Sequence, residues 1–446
     1  MKGISTLLLT SVAFLCMQPI SAQTEIKISK LQWEQLADMN VARMGHRILP
    51  SGNDFVVIGG HTTGFAREQS AEIFKDGAWT LLPTPFYVHD GAGAVTMEDG
   101  RTLVFGGHGG DWGTDGGVTG IDIYDPSTES FVDGGHLLKG RAMCNGVQAG
   151  GKAFMMGDYW SSSAARTVDV WSDGSQSVLD ATLSKAHCYP YLMPTSDKAS
   201  FLVLGNLGTY SGLSTVDKID ASTGEITQIT LDIFNEWLPV WPGEATDTPD
   251  YSIGEGRYLV VCQNADDDGT YGIVLVDANA ETAKLMLTFP NIILEQTIAW
   301  SGYLIVNPAV SEAYVIKSVN ISSENFSYYI ATIDYNAGTV KEIAYAPELP
   351  VCNAYVGLAI MSDGRIMATG GSKSGESNFD GHEKVFAFTP NGGEVIEVIT
   401  GIENTRKATD TTSAIYNLDG QQLPQMQRGL NIVRQSNGTV KKVVVK

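Results

Sequence analysis

The sequence predicts an all-β chain folded as a seven-bladed β-propeller with a small C-terminal β module, and three observations carry that expectation. Its apolar residues come in short alternating runs separated by turn residues, with 49 glycines in 446 residues, which favours many strands over helices. One strand–turn–strand unit, ending in a glycine marker, recurs about every fifty residues. Beyond the last unit, a stretch with its own turns and apolar runs stands apart.

The template is residues 91–131, GAGAVTMEDGRTLVFGGHGGDWGTDGGVTGIDIYDPSTESF. Residues 92–97 form a first strand, Asp99-Gly100 is expected to supply a two-residue hairpin turn, and residues 102–105 return antiparallel. Gly106-Gly107 ends that strand, where missing side chains permit positive φ and close approach of a neighbouring backbone. After a polar loop, Ile121, Ile123 and Tyr124 alternate until Asp125-Pro126, a turn starter whose carboxylate bonds the backbone two residues on. Residues 130–132 make a fourth short strand.

Six further units repeat the pattern. With the template's own at 107, the seven markers fall at residues 60, 107, 157, 205, 262, 318 and 371, at steps of 47, 50, 48, 57, 56 and 53. Asp125, Asp220, Asp277 and Asp334 close four of the third strands at one place. Four-stranded sheets repeated radially bury both faces against their neighbours, which is the economy of a propeller.

The Gly-Gly doublets, Tyr124-Asp125 and Trp79, with the strings RMGHRILPSGNDFVVIGG (residues 43–60) and GRTLVFGG (100–107), resemble the kelch family over residues 33–399. Cys262 and Ser318 stand where that pattern has glycine. The segment opening at Trp33 mirrors the one opening at Trp79, so it reads as a fourth strand lacking its first three. Two segments compete to complete the last blade: this one and residues 394–399.

The ends are distinct. Residues 1–22, with Lys2, an apolar run and Ile20-Ser21-Ala22, read as a secretory signal peptide. That predicts a secreted protein, periplasmic or at the cell surface. No transmembrane segment is expected. The propeller is expected over residues 23–399, a polar linker over 400–412 and the module over 413–446. The string IYNLDGQQLPQMQRGLNIVRQSNGTVKKVVVK (415–446) resembles the sorting or attachment modules of secreted Bacteroidetes proteins, and a plain stability module is the alternative. Cys144, Cys188, Cys262 and Cys352 fit neither a zinc motif nor a dense disulfide framework, so buried free thiols are expected.

A formal charge of -21 excludes a nucleic-acid partner and suits a solvated secreted protein. In each blade, the loop leading to the innermost strand and the loop between the second and third strands lie on one face. The first set supplies His46; His89 and Asp90; Arg141 and Asn145; His187 and Tyr189; Trp241, Glu244 and Asp247; Glu295 and Gln296; and Asn353 and Tyr355. His46, His89 and His187 are read as holding one repeated position, with packing against the next blade as the other reading of His46, His89 and Arg141. The second set adds His61, Arg67, His108, Asp111, Trp112, Tyr159, Trp160, Tyr210, Asp266 to Asp268 and His382.

Amides, carboxylates and rings converging on one mouth suit a polar small molecule such as a sugar. The ligand-binding set is therefore His89, Asp90, Asn145, His187, Tyr189, Trp241, Glu244 and Asn353. No metal site and no cofactor is expected: no His/Asp pair has short ligand spacing, and the Asp266 tip lacks a calcium-loop pattern. A kelch-like copper-radical oxidase would need a tyrosine cross-linked to a cysteine plus histidine ligands, and nothing identifies that constellation. The leading function is glycan or polar-ligand binding. The alternative is a carbohydrate-active enzyme similar to sialic-acid mutarotases or epimerases, with His89, Arg141, His187 and Glu244 as candidate catalytic residues. A protein-docking scaffold is the third option.

Overall fold

The computed structural model describes residues 25–109, 117–159, 161–205, 213–240, 251–266, 270–289, 303–320, 326–350, 355–373 and 380–400, and in the C-terminal part 412–416, 422–423, 429–435 and 440–445. These fall into two compact units, one ending at Thr400 and one beginning at Gly401. The first is a seven-bladed propeller. Among the described residues no helix is long and apolar enough to cross a membrane.

Blade 1 is the meander Arg47–Ser51, Asp54–Ile58, Ala71–Lys75 and Ala78–Leu81, and blade 2 is Gly93–Thr96, Thr102–Phe105, Val118–Asp125 and Ser130–Arg141. Blades 3 and 4 repeat this order from Asn145–Ala149 to Ser175–Val178 and from Tyr191–Pro194 to Ile226–Thr230. First strands meet across blades: Gly93–Thr96 contacts Asn145–Ala149, which contacts Tyr191–Pro194, while Gly357–Ile360 lies between Tyr303–Asn307 and Arg47–Ser51. The core is therefore laminated between blades. Leu49, Val56 and Ile73 of blade 1 face Ala94, Val104 and Tyr124 of blade 2, and Val147, Phe154 and Val170 face Leu192, Phe201 and Val203.

Ring closure uses the N-terminus in two blades at once. Gln32–Gln35 pairs with Val385–Thr389, Trp33 opposite Phe388, and so supplies the fourth strand of blade 7. Glu25–Lys30 instead pairs parallel with Thr339–Leu349 of blade 6, and Val395–Thr400 pairs antiparallel with Glu25–Lys30. The two competing segments thus occupy different blades. Ile26 and Ile28 alternate along the first of these strands and are buried, which is the sequence signal for it.

Local chemistry departs from expectation in three places. Asp99-Gly100 belongs to a three-residue loop, because Met97 N–H bonds Arg101 O at 2.8 Å and Gly100 N–H bonds Met97 O at 3.0 Å; of the pair, only Gly100 has positive φ, at 86°. Two-residue turns with both φ positive occur at Gly150-Gly151 and Glu255-Gly256. The fourth strand of blade 2 runs on to Arg141 through two register shifts. In blade 5 the innermost position is shared by two short strands, Trp237–Pro239 and Ser252–Gly254, which both pair with Arg257–Asn264.

The aspartates closing the third strands act as expected. Asp125 Oδ1 accepts from the Ser127 N–H and hydroxyl, Asp220 from Ser222 and Thr223, Asp277 from Asn279 and Ala280, and Asp334 from Asn336 and Ala337. Cys144, Cys188 and Cys262 are buried and form no disulfide with one another; Cys352 lies outside the described residues, as do residues 1–22. The C-terminal unit is an antiparallel sheet in the order Gln422–Leu423, Thr412–Tyr416, Gly429–Gln435, Val440–Val445. Its expected Asp419-Gly420 and Asn437-Gly438 turns lie outside the described residues.

Candidate functional site at the propeller mouth

The loops leading into the innermost strands share one backbone design. The residue two before the strand has positive φ in five blades: Gly45 (65°), Gly91 (62°), Met143 (53°), Tyr189 (42°) and Tyr355 (58°). These residues are linked in an arc, Gly45 N–H to Tyr355 O at 3.0 Å, Gly91 to Gly45 at 2.8 Å, Met143 to Gly91 at 2.9 Å and Tyr189 to Met143 at 2.9 Å. Five blades therefore join edge to edge around the mouth.

The residue four before the strand, Arg43, His89, Arg141 or His187, offers its carbonyl to the preceding marker. Gly371 N–H bonds Arg43 O at 3.0 Å, Gly60 bonds His89 at 2.8 Å, Gly107 bonds Arg141 at 2.7 Å and Asp158 bonds His187 at 2.8 Å. Asp158, not Gly157, is thus the true equivalent of Gly60 and Gly107. The glycine before it must lack a side chain: a Cβ on Gly59, where φ is 70°, would stand 2.0 Å from His89 O.

This register corrects the histidine alignment. His46 lies one residue before its strand, and Arg43 holds the position shared by His89 and His187. His46 bonds Thr369 Oγ1 of blade 7 at 2.8 Å, and burial, then the charges of Arg43, His382, His61 and Arg47, push its pKa well down.

His89 and Arg141 are spent within their blades. His89 lies between Gly106 O at 2.8 Å and Asp122 Oδ2 at 2.9 Å, and that carboxylate also accepts the Phe86 and Tyr87 N–H groups. Arg141 bonds Asp169, Ala164 O at 2.7 Å and Thr167 Oγ1 at 2.9 Å. Arg43 repeats the arrangement on Glu72 at 2.9 Å. In every case a third-strand acid clamps the incoming loop. Asn145 is likewise occupied: Arg47 Nη2 donates to its Oδ1 at 3.1 Å, and its Nδ2 donates to Pro190 O at 3.1 Å. Arg47 itself is 1% exposed; it reaches Ala92 O, Cys144 O at 3.2 Å and the Tyr189 ring at 5.8 Å, tying blade 1 to blades 2, 3 and 4.

His187 is a buried neutral base. Burial, reinforced by Lys185, lowers its pKa to about 3, with the Gly205 backbone opposing. Above the ordinary value of 6.5 the ring is neutral in both folded and unfolded chains. Below it, the unfolded chain takes up a proton that the folded ring refuses, so stability falls as pH drops towards about 3, by up to about 1.4 kcal/mol per pH unit. Denaturation midpoints should therefore fall less steeply between pH 6.5 and 4 in His187→Gln than in the parent; parallel curves would contradict this assignment.

The polar groups that do gather at the mouth follow the markers of blades 1 and 2. His61, directly after Gly59-Gly60, bonds Asp90 Oδ1 through Nδ1 at 2.7 Å, and its buried Nε2 has no partner among the described residues. Arg67 Nε approaches Asp90 Oδ2 at 3.8 Å and its guanidinium lies 5.8 Å over the Phe65 ring. His108, directly after Gly106-Gly107, has its pKa lowered by burial; Asp90 opposes the shift, while Arg67 and His61 add to it. Tyr189 completes the group, since the position of a Cβ on Gly91 is 3.1 Å from its hydroxyl and 3.3 Å from the His108 ring. The structure thus brings Asp90 and Tyr189 together with His61, Arg67 and His108, and sets His89, Arg141 and Asn145 apart as braces and His187 apart as a buried neutral ring. Trp241, Glu244 and Asn353 lie outside the described residues. His61 and His108 were read onto this face but left out of the ligand-binding set; the signal that could have placed them in it is the repeated Gly-Gly-His at residues 59–61 and 106–108.

The sequence matches no protein-family profile and no curated protein sequence. Among solved structures, the chain is similar to a fungal alcohol oxidase of the AA5 family in complex with copper, at a TM-score of 0.56 and 12% identity over 91% of this chain and 84% of that one. That likeness is one of fold. Among the described residues no group of three His, Cys, Asp or Glu side chains is placed to hold a metal ion. Burial raises the Cys144 thiol to about 12, and it donates to Phe105 O at 3.7 Å. The described residues do not fit a copper centre.

Proposed function

We propose that this chain is a secreted recognition protein whose propeller mouth binds a hydroxyl-rich polar ligand, a glycan in the first instance. The observation that carries the reading is the gathering of the Tyr189 hydroxyl, the His108 ring, Asp90, Arg67 and His61 about Gly91. Aromatic planes offer apolar contact to sugar faces, and the flanking donors and acceptors orient hydroxyls. The leader-like residues 1–22 and the resemblance of residues 33–399 to kelch propellers support secretion and a mouth-bound ligand. The resemblance of residues 415–446 to sorting modules supports attachment at the cell surface.

Gly91→Ala tests the gathering. A methyl group there would stand 3.1 Å from the Tyr189 hydroxyl and 3.3 Å from the His108 ring on a backbone of φ 62°, so it pushes these groups out of their arrangement. In calorimetric titrations against a panel of neutral sugars, uronic acids and sialic acids, the parent should bind at least one member. The variant should bind that member about tenfold more weakly, a change of about 1.4 kcal/mol. Unchanged affinity in Gly91→Ala, or no binding across the panel by the parent, removes the reading.

A further inference from the structure

We propose that residues 184–190, the loop that carries Tyr189 into the mouth, are a strap with two positions, and that in the second of them His187 is latched onto Asp217. The strap itself needs no ligand; that it serves one rests on the reading of the mouth above.

The repeat shows what blade 4 lacks. In blades 1, 2 and 3 a third-strand acid takes two kinds of bond from the incoming loop. One comes from a backbone N–H: Asn40 to Glu72 at 2.7 Å, Phe86 to Asp122 at 2.8 Å and Leu138 to Asp169 at 3.0 Å. The other comes from the side chain three residues on, Arg43, His89 or Arg141. Blade 4 makes only the first. Ser184 donates its N–H and its hydroxyl to Asp217 Oδ2 at 2.8 and 2.9 Å, while Asp217 Oδ1 and both ring nitrogens of His187 are buried without a hydrogen-bond partner among the described residues. One orphaned ring nitrogen decides nothing, since His46 and His382 each have one. In blade 4 the acid is orphaned as well, at the one step of the repeat where the two meet in three other blades.

The backbone says the same independently. A Cβ placed on the glycine ahead of the marker stands 2.3 Å from Arg43 O at Gly370, 2.0 Å from His89 O at Gly59 and 2.7 Å from Arg141 O at Gly106. At Gly157 the nearest atoms are Pro190 Cδ at 3.0 Å, Cys144 Cα at 3.3 Å and Met143 O at 3.4 Å, so His187 O lies farther off than its three counterparts. The loop of blade 4 is therefore seated less closely, as well as unlatched.

Tyr189 holds the strap in its first position. Its ring packs with Met143 and Cys188 and lies 5.8 Å from the Arg47 guanidinium, on a backbone whose φ of 42° is uncommon for a residue with a side chain. Latching His187, two residues away, trades these contacts for the bond to Asp217. Two sets of contacts that exclude each other make a bistable element. In the latched position the Tyr189 hydroxyl leaves Gly91 and His108, which opens the gathering at the mouth.

Amide hydrogen exchange on the full chain reads the strap without a ligand. The His187 and Tyr189 N–H groups bond Ala165 O at 3.1 Å and Met143 O at 2.9 Å, and those of Gly91 and Met143 bond Gly45 O at 2.8 Å and Gly91 O at 2.9 Å. The first pair should be about tenfold or more less protected than the second. His187→Arg gives blade 4 the brace of blades 1 and 3 and should bring the two pairs within about twofold of each other. Asp217→Asn in that background should undo the gain. Should His187→Arg not fold, the parent labelled with 3-fluorotyrosine serves, with the Tyr189 signal assigned from Tyr189→Phe; movement between two positions should appear there as microsecond-to-millisecond relaxation dispersion. Equal protection of the four amides in the parent, no gain in His187→Arg, no reversal by Asp217→Asn, or a flat dispersion profile overturns the strap. Failure of the sugar panel removes the reading of the mouth and leaves the strap standing.

Discussion

A chain that begins at residue 36 should fail to form a closed ring. Gln32–Gln35 is the outer strand of blade 7, and Glu25–Lys30 joins blade 6 to Val395–Thr400, so the deletion unzips three ladders in two blades. Ile26, Ile28 and Leu31 are buried at 1%, 7% and 3% exposure. At about 2 kcal/mol for each buried aliphatic side chain, their loss removes about 6 kcal/mol, comparable with the whole stability of many domains. Val395–Thr400 would then have no partner, although Val395, Ile396 and Val398 are already 49%, 54% and 44% exposed. Bare, apolar edges of this kind pair with other chains. Size-exclusion chromatography and limited proteolysis of the truncated chain should show aggregation and cleavage where the parent gives a single resistant species. A monodisperse, protease-resistant product would mean that the ring closes without its N-terminal strands.

Arg141→Ala should destabilise the propeller by about 3–5 kcal/mol, because it strands a buried carboxylate. The Arg141 and Asp169 side chains are both fully buried, and Arg141 also holds Ala164 O and Thr167 Oγ1. Asp169 would keep the Leu138 N–H at 3.0 Å and lose its cation. Arg141→Lys should recover little of this, since an ammonium cannot reproduce the planar fork that serves the carboxylate, the carbonyl and the hydroxyl together. Replacing both partners by leucine should cost less than Arg141→Ala alone, for no buried charge is then left unpaired. Urea denaturation of the four proteins measures the series. A loss below about 1 kcal/mol for Arg141→Ala would return Arg141 to the candidate ligand-binding or catalytic set, because a residue held for chemistry need not carry the fold.

The repeat itself was legible in residues because its causes are local. A turn needs Gly, Asn or Asp at positive φ, and a strand packed on both faces needs apolar runs. A third strand that ends in an Asx turn needs its aspartate, as Asp220 shows by accepting four bonds from Ser222 and Thr223. Gly59 and Gly106 were legible as glycines with a purpose. What they make room for, His89 O and Arg141 O of the next blade, was not.

The division of labour among polar residues was decided by tertiary structure. His89 and His61 are both histidines in polar segments on the same face, yet one has both ring nitrogens bonded inside blade 2 and the other has one bonded to Asp90 and one free. That difference arises from a third-strand acid, Asp122, standing behind His89, and from a neighbouring blade presenting Asp90 to His61. Closure was undetermined for the same reason. Trp33 and residues 394–399 both carry strand patterns, and a strand pattern states only that a segment pairs. Which edge it pairs with depends on where the edges of blades 6 and 7 stand once the ring is formed, and on a parallel ladder from Lys27 opposite Glu342 to Lys30 opposite Tyr345 that joins residues more than three hundred positions apart. By itself the sequence determined the blade, its length and its number, since each rests on interactions within about fifty residues; the braces depended on which third-strand acid stands behind each incoming loop in the folded chain, and the ring closure and the mouth were settled by contacts between blades, which no single repeat contains.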